Sequence, residues 1–360
     1  MLSFRLWALA AVVTGLVGLD GCARLRPGKL APEEAITPSD ALVFRGYRTT
    51  ITVKANPEQI MDFFRDSNRL AKLGVFTSVK RGQTSGDLTE IGQKVHVRMR
   101  VRGVEFPITF INLKAAHDNN GHAFWVANSH PFVSIQRWQV TPAAEGSELR
   151  VELYSEEARN WAGRAVNSDE LFTDFCAVLD RALANLQAQF DPGFDRQAAL
   201  SQGLRGEKIN VLFKVQTAER RIQARPAKVF QYLQEHNNYA AILGDTPLNP
   251  ECQGNLDLAY CPLISTIAGR ETPVNQFIAG YRVNEEITSI LVWSDYLTMV
   301  QWKIHPLEGG RAASVQVRFV VEPPRPGALW MVDFLYALTK VPDRVSQTLS
   351  QMQQDLEGGV

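Results

Sequence analysis

Six histidines and four cysteines are the side chains of this 360-residue chain best suited to hold a metal or attack an electrophile. His117 and His122 stand five apart in NLKAAHDNNGHAF, with Asp118 between them. Two imidazoles at that spacing make half a zinc site, and the rest must come from elsewhere in the fold. The same spacing suits two exposed histidines in a turn, and that is the expectation, with no metal assigned. The cysteines are Cys22, Cys176, Cys252 and Cys261, and none forms a CxxC pair. Cys252 and Cys261 stand nine apart in a region interrupted by Pro247, Pro250 and Pro262, and suit a loop-pinning disulfide in an oxidising compartment. Cys176 falls on an apolar helical face, where an inert buried thiol belongs. There is no HExxH, nucleophile elbow, Walker loop or dinucleotide fingerprint, so no catalytic residue and no cofactor are assigned.

Basic and aromatic side chains offer binding rather than bond-making. Lys94, His96, Arg98, Arg100 and Arg102 alternate with Val95, Val97, Met99 and Val101. The expectation is a solvated strand face paired with Glu148 and Glu152 on another strand. The functional alternative is attraction to anionic headgroups, about 1 kcal/mol per basic residue. Formal net charge is zero, which argues against bulk attraction to nucleic acid. Phe110, Phe124, Trp125 and Trp138 form one set of strand aromatics, and Tyr281, Trp293, Tyr296 and Trp302 a second. Such side chains fill a core or line an apolar pocket. Phe110, Phe124, Trp125, Trp138, Tyr281, Trp293 and Trp302 are the candidate pocket residues. Asn112 and Gln301 are polar positions suited to orienting a ligand.

The elements that must carry these residues come twice. ITVKANPEQIMDFFRDSNRLAKL, Ile51 to Leu73, matches RRIQARPAKVFQYLQEHNNYAAI, Arg220 to Ile242. Ala55, Pro57, Asn68 and Ala71 fall on Ala224, Pro226, Asn237 and Ala240, and the apolar positions coincide. A period of 169 residues is a duplicated domain, not a solenoid unit. Each copy reads as a strand, then a helix with proline at its first position. In the first half, strands follow near 75–81, 93–102, 105–115, 122–128, 132–141 and 147–154, then a long helix from Asp169 to Phe190. In the second, Pro247, Pro250, Pro262 and Pro273 blur the pattern, which recovers at 276–283, 286–294, 297–306 and 312–322. A last helix from about Ala328 to Leu356 is expected to kink at Pro342. The division is 45–195 and 210–357, joined by a linker at 196–209.

The first 22 residues are of another kind. Arg5 precedes a 14-residue uncharged run, Leu6 to Leu19, which suits a signal-peptide core. Leu19-Asp20-Gly21-Cys22 resembles the lipobox of bacterial lipoproteins, in which the cysteine is lipidated; Asp20 departs from the usual small or apolar residue. Cleavage after Ala23 and an uncleaved anchor are the alternatives. Ala23 resembles outer-membrane sorting rather than the aspartate that retains lipoproteins at the inner membrane. Residues 23–44 read as a tether. The expected location is the periplasmic side of the cell envelope, by lipid anchor or by secretion.

Strand, short helices, six-strand meander and long helix together resemble the START-like superfamily, also called helix-grip or SRPBCC proteins. The resemblance implies an α+β class: two helix-grip domains, each a curved antiparallel sheet wrapped around a C-terminal helix, with a ligand cavity between. LTKVPDRVSQTL, Leu338 to Leu349, is similar to the proline-containing final helix of START domains. The function so implied is non-catalytic binding or transfer of a lipid or other hydrophobic small molecule. Two alternatives stay open. One is an enzyme like the didomain polyketide aromatase/cyclases, and the other an envelope interaction protein with filled cavities.

Overall fold

Strands β1 (Thr37–Val53), β2 (Phe76–Arg81), β3 (Lys94–Val101), β4 (Val104–Asp118), β5 (Gly121–Asn128), β6 (Ser134–Ala143) and β7 (Gly146–Ser155) make the first half-sheet. Helices α1 (Pro57–Arg65) and α2 (Ser67–Leu70) follow β1, and the long α3 (Ser168–Phe190) follows β7. The short α4 (Arg196–Ser201) leads into β8 (Glu207–Ile222) and α5 (Pro226–Gln234). Strands β9 (Asp245–Pro247), β10 (Cys261–Ile267), β11 (Arg270–Arg282), β12 (Glu286–Trp293), β13 (Tyr296–Leu307) and β14 (Ala312–Val321) complete the second half. Residues 346–357 are helical. This computed structural model describes residues 37–81, 89–118, 121–128, 134–155, 168–235, 245–247, 260–267, 270–293, 296–321 and 346–358. The signal segment, Cys22, Cys252, His130, His236 and Pro342 lie outside them.

All fourteen strands belong to one sheet, in the order β2-β3-β4-β5-β6-β7-β1-β8-β14-β13-β12-β11-β10-β9. The order is a palindrome about β1 and β8, so the repeat seen in the sequence is a repeat of topology. Residues 37–44 were expected in the tether; instead they begin β1 and pair with β8, from Thr37 opposite Thr217 to Arg48 opposite Glu207. The C-terminal part of β1 pairs with β7 from Arg45 to Val53. The described residues from Thr37 onward accordingly fall in one compact unit. The 196–209 linker holds α4, capped where the Asp195 side chain accepts from the Ala198 backbone N–H.

The two strand-proline-helix copies start their helices differently. Asn56 caps α1 through a reciprocal pair at 2.9 Å: Gln59 N–H donates to Asn56 Oδ1, and Asn56 N–H to Gln59 Oε1. At α5 the cap residue is Arg225, with no side-chain bond, and Pro226 alone sets the first turn.

The sheet buries both faces. The inner face of the first half packs on α1 and α3, with Tyr47, Ile51, Val97, Leu149 and Leu183 in its core. The inner face of the second half packs on α5 and the 346–357 helix, around Ile222, Val229, Trp302, Val315 and Met352. The outer faces share two further clusters, one joining Ile111, Leu113 and Trp125 to Phe277, Ile290 and Leu297. The other joins Phe44 and Tyr154 to Phe213, Met299 and Val320.

A buried polar knot ties β1, α3 and the linker together. Tyr47 Oη donates to Asp180 Oδ2 at 2.5 Å, Arg205 N–H donates to the same oxygen at 2.8 Å, and Gly206 N–H donates to Tyr47 Oη at 2.6 Å. Burial raises the Asp180 carboxyl above its ordinary value, against the pull of its two donors. Removing the phenolic hydroxyl leaves the buried Asp180 carboxyl and the half-buried Gly206 N–H each short of a partner. Tyr47→Phe should therefore cost about 1–3 kcal/mol in urea unfolding. Because the folded-state value is raised, the stability contributed by Asp180 is fully present below about pH 3.8 and declines as pH climbs through the raised value. Asp180→Asn removes that decline, so its urea midpoint should gain on the wild type as pH goes from about 4 to 7; a constant gap would count against a raised carboxyl.

Candidate functional site

Alternation along β3 sets the inner wall. Val95, Val97, Met99 and Val101 are buried while the residues between them face out. Ile108 and Phe110 of β4, Phe124 and Val126 of β5, and Trp138 of β6 continue that wall. The opposite wall is α3, whose Phe172, Phe175, Val178, Leu179 and Ala182 recur at helical spacing. Between them lies a cavity of about 90 Å³. One water needs only about 10–15 Å³ on the same measure. An aromatic cluster closes one side: Phe64 of α1 sits 5.1 Å from Phe124 and 5.2 Å from Trp138, and these two stack 5.7 Å apart.

Of the 23 described lining residues four are polar, Asn128, Ser134, Gln136 and Ser155, and none of the 23 is ionisable. They gather at the β5–β6 end of the wall. Asn128 stands opposite Ser134, and Ser134 opposite Ser155. Ser134 Oγ donates to Asn128 Oδ1, and Trp138 Nε1 donates to Gln136 Oε1 at 3.2 Å. An apolar body with an uncharged polar end fits such a lining.

Of the candidate pocket residues, Phe110, Phe124 and Trp138 line this cavity. Trp125 does not. Its strand neighbour Phe124 points inward, so Trp125 must point outward, and it packs in the cluster between the halves. There Arg137 lies over its ring at 4.2 Å and Lys114 at 4.9 Å. In the second half Trp302 is fully buried in the core. Tyr281 is 36% exposed with its ring 6.2 Å from Phe230. Trp293 ends β12, opposite Tyr296. Asn112 on β4 and Gln301 on β13 are both buried, and Gln301 accepts from Arg318 at 3.0 Å. Phe64 and the four polar lining residues are not among the candidates that the sequence offers. The parity of Gln136 with Trp138 was the signal for that one; Phe64 was visible only as a helix core position.

Other chemistry-bearing residues have structural partners. His122 is buried rather than exposed: its Nδ1 lies 3.1 Å from that of His117 across the β4–β5 hairpin, and its Nε2 lies 3.1 Å from Glu58. Burial, then the neighbouring His117, holds it below the usual histidine range. Among the described residues no group of three or more His, Cys, Asp or Glu is placed to hold a metal. The basic stripe pairs, but not with Glu148 and Glu152. Strand β3 lies beside β4, so Arg98 and Arg100 meet Glu105 at 3.5 and 3.0 Å, and Arg102 meets Glu170 at 2.8 Å and Asp174 of α3. Glu152 instead pairs with Arg48 and Arg150. Cys176 is a free buried thiol pushed up to about 12 by burial, hence unreactive. Cys261 is disulfide-bonded, with its partner outside the described residues.

Residues 46–191 match the family described as polyketide cyclase / dehydrase and lipid transport. The match spans most of the first half-sheet and α3, on a sheet-rich α+β frame. Among solved structures the chain is similar to a START superfamily protein from Mycobacterium smegmatis, at 15% identity and TM-score 0.31, over 39% of this chain and 98% of that one. It is also similar to the di-domain ARO/CYC BexL from the BE-7585A biosynthetic pathway, at 13% identity and TM-score 0.31, over 87% of this chain and 98% of that one. The di-domain ARO/CYC StfQ from the steffimycin pathway gives 12%, 0.32, 87% and 99%. No curated protein matches the chain.

Placing Trp125 between the halves has a measurable consequence. Trp125→Ala should destabilise the protein by about 3–5 kcal/mol in urea, the usual cost of truncating a buried tryptophan. Uptake of an apolar probe by the remaining folded protein should be unchanged, because the side chain does not reach the cavity.

Proposed function

We propose that this chain holds or passes on a hydrophobic small molecule with an uncharged polar end, in the cavity between the first half-sheet and α3, without changing it chemically. One observation carries the reading: the described lining of the cavity is 19 apolar and four uncharged polar residues. The family description names lipid transport, in agreement. It also names cyclase and dehydrase chemistry, which is the second reading. Cyclisation needs proton transfer at the reacting chain. No described lining residue is an acid or base fit for that, which favours binding.

The setting proposed is the cell envelope, reached through the hydrophobic run and lipobox-like Cys22, with 45–195 and 210–357 acting as two START-like domains. In that oxidising setting Cys252 is the proposed partner of Cys261. Thiol titration of the unfolded, unreduced protein should then find Cys176, and Cys22 only if it is not lipidated; three reactive thiols would exclude the pairing.

The cavity reading is tested by purifying the chain under native conditions, extracting with organic solvent and titrating the delipidated protein with 1-decanol. An apolar molecule should be recovered, and decanol should bind. Ala182→Phe, which places a ring in the cavity, should lower first-site affinity at least tenfold while the protein stays folded. Equal uptake by wild type and Ala182→Phe would sink the reading.

A further inference from the structure

The inner wall of the first half carries one mixed row two residues in from the closing pair of the β5–β6 hairpin. Asn112, Val126, Gln136 and Leu153 lie side by side across β4, β5, β6 and β7. The closing pair is Asn128 opposite Ser134. In the second half the corresponding hairpin closes with Trp293 opposite Tyr296. Two residues in from it lie Gln276, Leu291, Thr298 and Val321, across β11, β12, β13 and β14. The two rows have the same plan: amide, aliphatic, polar, aliphatic. They occupy the same topological place, and Gln136 of the first row borders the cavity.

The second row faces the second core. Leu291 belongs to that core, and so do Val274 and Ile278 on either side of Gln276, and Val300 next to Thr298 on the same face. Gln276 and Thr298 are both more than nine-tenths buried. Neither amide atom of Gln276 has a hydrogen-bond partner, and nor does Thr298 Oγ1. Three unsatisfied polar atoms on one apolar wall are costly to leave unmatched, and native proteins rarely keep them without a use. A wholly structural role calls for leucine and valine at these two positions, as at their neighbours.

We propose that the second half holds a second ligand site, in which Gln276 and Thr298 take up the polar end of an uncharged amphiphile. An amide offers a donor and an acceptor, and a hydroxyl offers both. The fitting ligand group therefore donates and accepts, as an alcohol or carboxamide does. A carboxylate only accepts, and neither row holds a cation to compensate its burial. The nature of the ligand rests on the reading of the first cavity, but the existence of this site does not.

The test uses the full chain carrying Ala182→Phe, which closes the first cavity, titrated with 1-decanol and with decanoate under native mass spectrometry. One equivalent of decanol should remain bound, at least tenfold tighter than decanoate. Adding Gln276→Leu and Thr298→Val should abolish it and should raise the melting temperature of the ligand-free protein, since two unmatched side chains are gone. No decanol bound by Ala182→Phe, with one equivalent bound by wild type, overturns the second site and leaves the first standing. Uptake by Ala182→Phe that survives the double replacement also overturns it. So does a lowered melting temperature, which marks the pair as structural. Equal uptake by wild type and Ala182→Phe, lost on the double replacement, upholds this site and removes the first.

Discussion

The ladder between β1 and β8 is the constraint on which the rest depends. Twelve residues at the start of β1, Thr37 to Arg48, run against Thr217 to Glu207. That pairing joins two half-sheets of the same topology edge to edge, and their outer faces then share Trp125, Phe277 and their neighbours. With the outer faces taken up in this way, only the inner faces are left to make ligand space. The cavity lies on that inner side, between the first half-sheet and α3.

Much of this order was legible in the chain. Asn56-Pro57 and Pro226 mark helix starts that the structure places at Pro57 and Pro226, because a fixed proline φ and a capping side chain act locally. The strands of the first meander and α3 lie within a few residues of their expected ranges, since β3 alternates cleanly and α3 keeps a regular apolar stripe. Facing was not legible for Phe124 and Trp125. Alternation separates inside from outside only when one face is wet, and β5 is buried on both sides. Residues 37–44 could not be placed either, because their partner is a strand some 170 residues away and nothing local announces it. The paired rows were hidden for a different reason. The helix starts are 169 positions apart, but Asn112 and Gln276 are 164 apart and Gln136 and Thr298 only 162, so a fixed offset slides past them.

Polar groups inside this protein are treated in three ways. Asp180 is buried with donors from Tyr47 and Arg205, and it ties chain segments together. Ser134 and Asn128 are buried, bonded to each other, and both line the cavity. Gln276 and Thr298 are buried without partners. The first group holds chain segments together, the second lines the cavity, and the third forms the second site proposed above. Ion pairs on the surface, such as Arg100 with Glu105, belong to none of the three and contribute little.

The palindromic strand order also bears on how the chain survives outside its native state. In either half alone, β1 or β8 would be a terminal strand, 17 and 16 residues long. Long bare edges recruit other chains and seed aggregates. Here each is the other's cover, so duplication has converted two hazards into a seam. The seam also makes a proteolytic nick between α4 and β8 a different event from cutting an interdomain hinge: the fragments would stay zipped together, and pulling them apart would uncover two sticky edges at once.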